Sequence, residues 1–313
     1  MKQQKRPGKM RGISICVLFV ILLLPSMQGA LIIQNTIEKF IPPMPSDQLT
    51  NEVEYWALLI AVGIYKDNPP MDRPTMIREI QRFEEMFTFT ENWQSDHIKT
   101  ITKEDATVLS IWEGFRWLDE MEDEDDVCLI YLTTHGFPLW FDRPPFDERD
   151  GRDEALASYT GFFPFEPIDP DRWEPMTNPF GIVTDDQINR WLNRLESSAV
   201  GVIVDSCHSG GFNDYWSYSY ELDEPFMMGL AGEISGQGRV VVTSVPEEDV
   251  SYGSRFSHNL IDGFYGHADT NHDDLVTLEE AFVYAEEIVE DQTGMDPQIF
   301  DYYSGDLILI ELP

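Results

Sequence analysis

Val127-Cys128-Leu129-Ile130-Tyr131-Leu132-Thr133, running on into Thr134-His135-Gly136, is the stretch that decides the fold. Its apolar residues follow one another without polar alternation, as in a strand buried on both faces of a parallel sheet. Trp56–Gly63, Val200–Val204 and Arg239–Thr243 read the same way, and Ile98–Thr102 is a shorter strand. Amphipathic helices lie between them. Met76–Phe87 sets Met76, Ile80, Phe83 and Phe87 on one face, and Thr107–Met121 is a second helix. Thr184–Leu195 is capped by Thr184, with Ile188, Trp191, Leu192 and Leu195 inward. Helices at Arg255–Tyr265 and Leu278–Glu290 and a last strand at Asp306–Ile310 complete the body. The alternation predicts an α/β domain with a mostly parallel central sheet and helices on both faces. Phe137–Pro179, rich in Pro, Asp and aromatics, reads as a long surface excursion.

Composition narrows the function classes. Among 313 residues, 57 Asp and Glu face 21 Lys and Arg, a formal charge of −36. Nucleic-acid binding needs basic clusters to neutralise phosphate, and outside residues 1–11 the chain has none, so no nucleic-acid partner is expected. A hydrophobic share of 42% supports a real core. Residues 1–29 pair basic Lys2, Lys5, Arg6, Lys9 and Arg11 with the apolar run Ile13–Leu24, and read as a secretory signal peptide. An uncleaved anchor is the alternative; no other membrane partner is expected. Residues 30–54, broken by Pro42, Pro43 and Pro45, read as a stem or linker, and 55–313 as the functional domain. Cys16 belongs to the leader and Cys128 to a strand core, so Cys207 is a thiol kept for another purpose.

Chemistry gathers beyond the carboxyl ends of strands in such sheets. Two strands end in reactive side chains: Leu132-Thr133-Thr134 runs into His135-Gly136, and Val202-Ile203-Val204 into Asp205-Ser206-Cys207-His208-Ser209-Gly210-Gly211. On neighbouring parallel strands, the two would place an imidazole and a thiol at one sheet edge. The imidazole can take the thiol proton, and the thiolate is the nucleophile. The glycines permit a sharp turn and expose N–H groups that can hold an oxyanion.

YLTTHGF and VIVDSCHSGG resemble the histidine and cysteine boxes of the caspase-like cysteine peptidases, most closely the metacaspase branch. The resemblance spans Trp56–Leu312 and is supported by the acidic segment Asp147–Glu154 and by Asp296-Pro297-Gln298 with Gly305-Asp306-Leu307. It implies a caspase-hemoglobinase-like three-layer sandwich, with His135 as general base, Cys207 as nucleophile, and the N–H groups of Cys207 and Gly136 as oxyanion donors. Asp205, with Thr133 beside it, would form an acidic pocket selecting Arg or Lys. Two positions depart from the family: Thr134 stands where glycine is usual, and the acidic residue of the first helix has no match beyond Glu79.

Asp269–Glu280 fits a twelve-residue calcium loop, with ligands from Asp269, Asn271, Asp273, the Leu275 carbonyl, Thr277 and Glu280. Asp274 stands in the usual glycine position. The same residues can instead form a Thr277–Glu280 capping box, and both can hold together. A second, activating calcium site is implied by the resemblance alone, through Asp150, Asp185, Asp186 and Asp214. The expected activity is a secreted, calcium-dependent cysteine endopeptidase acting on polypeptides with basic residues. A legumain-like Asn/Asp-specific peptidase or transpeptidase, or an inactive calcium-dependent binding module, are the alternatives.

Overall fold

The computed structural model describes residues 53–139, 144–145, 153–164, 176–206, 229–244, 255–294 and 297–313. Val53–Pro313 gather into one unit; the expected leader and most of the stem lie outside the described residues.

The five strands expected up to Thr243 form a six-stranded sheet together with one that was not expected: β1 (Tyr55–Ala61), β2 (Ile98–Thr102), β3 (Val127–Thr133), β7 (Ala199–Asp205), β8 (Arg239–Thr243) and the unforeseen β10 (Gln298–Asp301). Their order is β10-β8-β7-β3-β1-β2, with all pairs parallel except β8 with β10. Alternate residues enter two different cores, which is why β1, β3, β7 and β8 are apolar along nearly their whole length, unlike the edge strands β2 and β10. Trp56, Leu58, Ile60, Cys128, Ile130, Leu132, Val202 and Val204 face one layer, holding α2 (Val108–Met121) and α3 (Asp185–Leu192). Leu59, Leu129, Tyr131, Ile203 and Val242 face the other, against α1 (Thr75–Phe87), α4 (Arg255–Asp262) and α5 (Leu278–Thr293). Each large aliphatic or aromatic side chain so enclosed stabilises by about 1.5–3 kcal/mol before ordering costs are counted. The chain is thus an α/β protein with a mostly parallel sheet covered on both faces. Among the described residues no helix is long and apolar enough to cross a membrane.

Local signals act as expected at the helix starts. Thr184 accepts from the Gln187 N–H while the Gln187 side chain accepts from the Thr184 N–H, and Thr277 and Glu280 form the same reciprocal box on α5. At the amino end of β3, buried Asp126 accepts from the N–H groups of Glu54 and Asp123 and from the Trp56 indole. Burial raises its pKa, and those backbone donors offset part of the rise.

Three further features differ from the expectation. The stretch 137–179 is not all loop: β4 (Gly136–Pro138) and β5 (Glu154–Ala157) join β6 (Ile182–Thr184) in a small antiparallel sheet, order β4-β5-β6, with Ala155, Leu156 and Ala157 buried. Strands of three or four residues carry too little periodicity to be seen among prolines. The helix expected at 255–265 continues past Asp262 with a wider winding over Gly263–His267, where Gly266 leaves helical geometry at φ 97°. The last strand runs Ile308–Glu311 (β11) and stays outside the main sheet, pairing with β9 (Leu275–Thr277) inside the expected calcium loop.

Candidate active site

β3 and β7 are parallel neighbours, and their register sets Thr133 opposite Asp205. His135 follows Thr133 by two residues, and Cys207 follows Asp205 by two. The two boxes therefore leave adjacent strands at the same level of the sheet's carboxyl edge. Cys207 itself lies outside the described residues, as do Asp150 and Asp214.

His135 is 1% exposed and held on several sides. Its Nε2 lies 2.8 Å from the Met71 carbonyl oxygen. A carbonyl only accepts, so Nε2 carries a proton, and in the neutral form of the ring the lone pair is on Nδ1. Tyr65 stacks on the ring at 5.1 Å between centroids, and Phe162 meets it edge-on at 6.0 Å. The backbone of His135 is fixed as well: its N–H donates to the Tyr65 hydroxyl (3.0 Å), and its carbonyl accepts from the Ala157 N–H (2.8 Å). Burial pushes the Tyr65 hydroxyl far above its usual titration range, so it remains a neutral hydrogen-bonding group.

Tyr65 and Met71 sit on the loop after β1. Gly63, at φ 63°, turns the chain into that loop, and a Cβ there would fall 2.7 Å from Ile77. The loop is braced internally by the Tyr65 N–H donating to Asp72 (2.8 Å) and externally by the Lys66 N–H donating to the Tyr159 carbonyl (2.8 Å). Neither residue carried a sequence signal, since one is a lone tyrosine in a loop and the other acts through its backbone. Gly136 occupies the non-hydrogen-bonded position opposite Leu156, between ladder bonds at His135 and Leu139. Its N–H is thereby directed away from β5, as an oxyanion donor requires.

Asp205, 2% exposed, ends β7 on the α1/α4 side. Ser257 of α4 donates to its Oδ2. The Ser257 proton being committed, the Tyr131 hydroxyl donates to Ser257 (2.9 Å), and buried Thr133 in turn hydrogen-bonds Tyr131. Glu79, the weak match on the first helix, is buried as well. Its pKa is raised first by burial and further by the Asp205 charge, while Arg82, 3.1 Å away, pulls it down. The weak sequence match on the first helix thus stands within the electrostatic field of Asp205. Arg82 also binds Asp262 at 2.6 Å, tying α1 to α4.

The two acidic clusters fare differently. In the loop 269–280, Asp269 accepts from the N–H groups of His272 (2.8 Å), Asp273 and Asp274 (both 3.3 Å). Asn271 accepts from Asp273 (2.9 Å), and Asp273 from Leu275 (3.0 Å). Asp274 takes φ 65°, making the sharp turn in glycine's place, and Glu280 lies 3.3 Å from the Asn271 amide. These donors are all oxygen and suit a hard cation. Among the described residues no three His, Cys, Asp or Glu side chains form a ready-made metal cluster, so the loop would rely also on Asn271, Thr277 and the Leu275 carbonyl. In the other cluster, buried Asp185 spends one oxygen on the Glu154 N–H (2.9 Å) and the other on the Asp186 N–H (2.7 Å). It thereby fastens β5 to α3. Asp153 and Glu154, the end of the acidic segment 147–154, are buried just before and at the start of β5.

No family model matches the chain, and no curated protein does. Solved structures do. The crystal structure of protein GSU0716 from Geobacter sulfurreducens, a structural-genomics target, is similar at TM-score 0.50 and 12% identity, covering 82% of this chain and 97% of that one. At that identity the likeness concerns the fold alone.

Proposed function

We propose that the protein is a caspase-like cysteine endopeptidase of metacaspase type, cutting after Arg or Lys. The observation that carries this reading is the β3–β7 register, which brings the His135 and Cys207 boxes out of adjacent strands at one level. Cys207 transfers its proton to Nδ1 of His135 and attacks the scissile carbonyl carbon. The oxyanion is held by the N–H groups of Gly136 and Cys207, each such donor lowering the barrier by about 3 kcal/mol. The Met71 carbonyl keeps the Nε2–H tautomer and stabilises the imidazolium as it forms. That imidazolium protonates the leaving amine, and the C–N bond breaks to give a thioester on Cys207. Water, deprotonated by His135, then displaces the thiolate. Asp205, with Glu79 nearby, favours a cationic side chain in the pocket.

A peptidyl acyloxymethyl ketone with arginine at its reactive end should add its mass to Cys207 of the wild type but not of His135→Ala. Labelling that ignores His135 would remove the dyad. A positional-scanning peptide library checks the pocket: preference for Arg and Lys supports the reading, whereas preference for Asn or Asp would move the chain to the legumain-like alternative.

Calcium belongs to the same proposal. Asp269, Asn271, Asp273, Leu275, Thr277 and Glu280 would hold one ion, which would cross-link the turn before α5; Asp185 and Asp186 would contribute to a second. Calcium at about 100 times its Kd should stabilise the fold by about 2.7 kcal/mol, raising Tm by roughly 5–10 °C. Glu280→Gln should lose most of that rise in a thermal melt. An identical rise in the variant would exclude the loop as the binding site.

A further inference from the structure

The ladder between β4 and β5 is interrupted at one point, beside His135. Phe137 faces Ala155, Leu139 donates to Asp153, and His135 accepts from the Ala157 N–H. By the same alternation the His135 N–H belongs on the Ala157 carbonyl, since hydrogen-bonded pairs exchange both bonds. It goes to Tyr65 instead, at 3.0 Å. The Ala157 carbonyl accepts from the Thr134 hydroxyl at 2.6 Å, and the Tyr65 and Thr134 oxygens lie 2.9 Å apart.

Proton bookkeeping then fixes every direction. Thr134 has one hydroxyl proton, and the carbonyl takes it. The Tyr65 proton must therefore go to Thr134, leaving the Tyr65 oxygen to accept from His135. The chain runs His135 N–H to Tyr65, Tyr65 to Thr134, and Thr134 to Ala157. Two hydroxyl groups thus stand in for one of the two bonds of the His135–Ala157 pair, while the other, from the Ala157 N–H to the His135 carbonyl, closes at 2.8 Å. All four residues are buried, so water cannot readily replace a missing link.

We propose that Tyr65 and Thr134 act as a paired positioning device for His135: their hydroxyls hold open the N–H side of the His135–Ala157 pair and so set the imidazole where its Nδ1 can serve the thiol. The inference rests on the reading of His135 as the general base. Without either hydroxyl, the His135 N–H can close directly onto Ala157. The ring would then shift by a fraction of the strand spacing, and misplacement by about 1 Å is enough to cost about 100-fold in rate.

The test is a double-mutant cycle in the full chain with an arginine peptide substrate. Tyr65→Phe keeps the stacked ring and loses only the hydroxyl; Thr134→Val keeps the shape. Each should lower kcat by about 10- to 100-fold with KM unchanged within about twofold, and the double variant should lose no more than the worse single. Thr134→Ser should restore most of the rate. Rates within about twofold of wild type in both single variants, losses that multiply in the double variant, or a change confined to KM would overturn the pairing. Thermal melts of each variant separate folding loss from mispositioning. The His135 ring titration, followed by NMR, gives a readout independent of peptidase activity. It should move in the same direction in both single variants and return in Thr134→Ser. A wild type that neither cleaves peptides nor labels at Cys207 ends the functional reading; a ring titration unmoved in the variants ends this inference.

Discussion

Cys207→Ala should reduce hydrolysis of arginine and lysine peptides, with calcium present, to the background of the buffer. His135→Ala should lower kcat by roughly 10³- to 10⁴-fold, the upper part of the range for a lost general acid–base. The two should not be additive. Once the nucleophile is absent, the histidine has no thiol to deprotonate, so the double variant should be no slower than Cys207→Ala alone. The distinction matters because a buried histidine packed against two aromatic rings also has a structural use. His135 is enclosed by Tyr65, Phe162 and the Met71 carbonyl. If that enclosure were its whole role, His135→Ala would lower the melting temperature and leave the rate per folded molecule intact. Initial rates on a fluorogenic arginine peptide, normalised to folded protein, decide between the two. Equal rates for wild type and Cys207→Ala would end the peptidase reading outright.

Asp205→Asn should lower kcat/KM for arginine substrates by roughly 100- to 1000-fold while leaving neutral side chains nearly untouched. The expected loss is about 3–4 kcal/mol, within the range for removing one partner of a buried, hydrogen-bonded charge pair. Asparagine keeps the shape and still offers Ser257 an oxygen to bond, so the Tyr131–Ser257 link to β7 can persist. Selectivity is the informative readout: the ratio of kcat/KM for Arg over Gln peptides should fall toward unity. Glu79 gives an internal comparison, because it is paired with Arg82 and part of its charge is already balanced. Glu79→Gln should therefore cost less selectivity than Asp205→Asn. Unchanged selectivity in Asp205→Asn would make Asp205 only the acceptor that ties β7 to α4.

Much of the framework was legible from apolar runs. β1, β3, β7 and β8 are recognisable because both faces of each strand enter a core, which excludes polar residues along their whole length. The helix starts at Thr184 and Thr277 were legible because a cap is a local bargain among four consecutive residues. The small β4-β5-β6 sheet was not. Its strands are short, and β5 finds its partners across stretches whose length and composition reveal nothing about pairing. β11 was seen as a strand and placed in no sheet, because its partner β9 spans only Leu275–Thr277 within a loop.

For the candidate site the division follows the same physics. By itself the sequence determined which side chains have the needed chemistry, namely His135, Cys207 and Asp205, each just beyond or at the end of a buried run. It also determined that a parallel sheet would collect such residues at one edge, because apolar strands joined by helical crossovers all point the same way. Only the tertiary structure decided what surrounds the imidazole. The Met71 carbonyl that sets the tautomer is a backbone atom and has no residue code. Tyr65 and Thr134 lie 69 positions apart, and their hydroxyls meet only after β1 and β3 have paired and the loop has folded over their ends. Glu79 likewise enters the field of Asp205 only once α1 packs against β1 and α4. Residue types carry chemical capacity, whereas hydrogen-bond direction and electric field depend on distances that only packing creates.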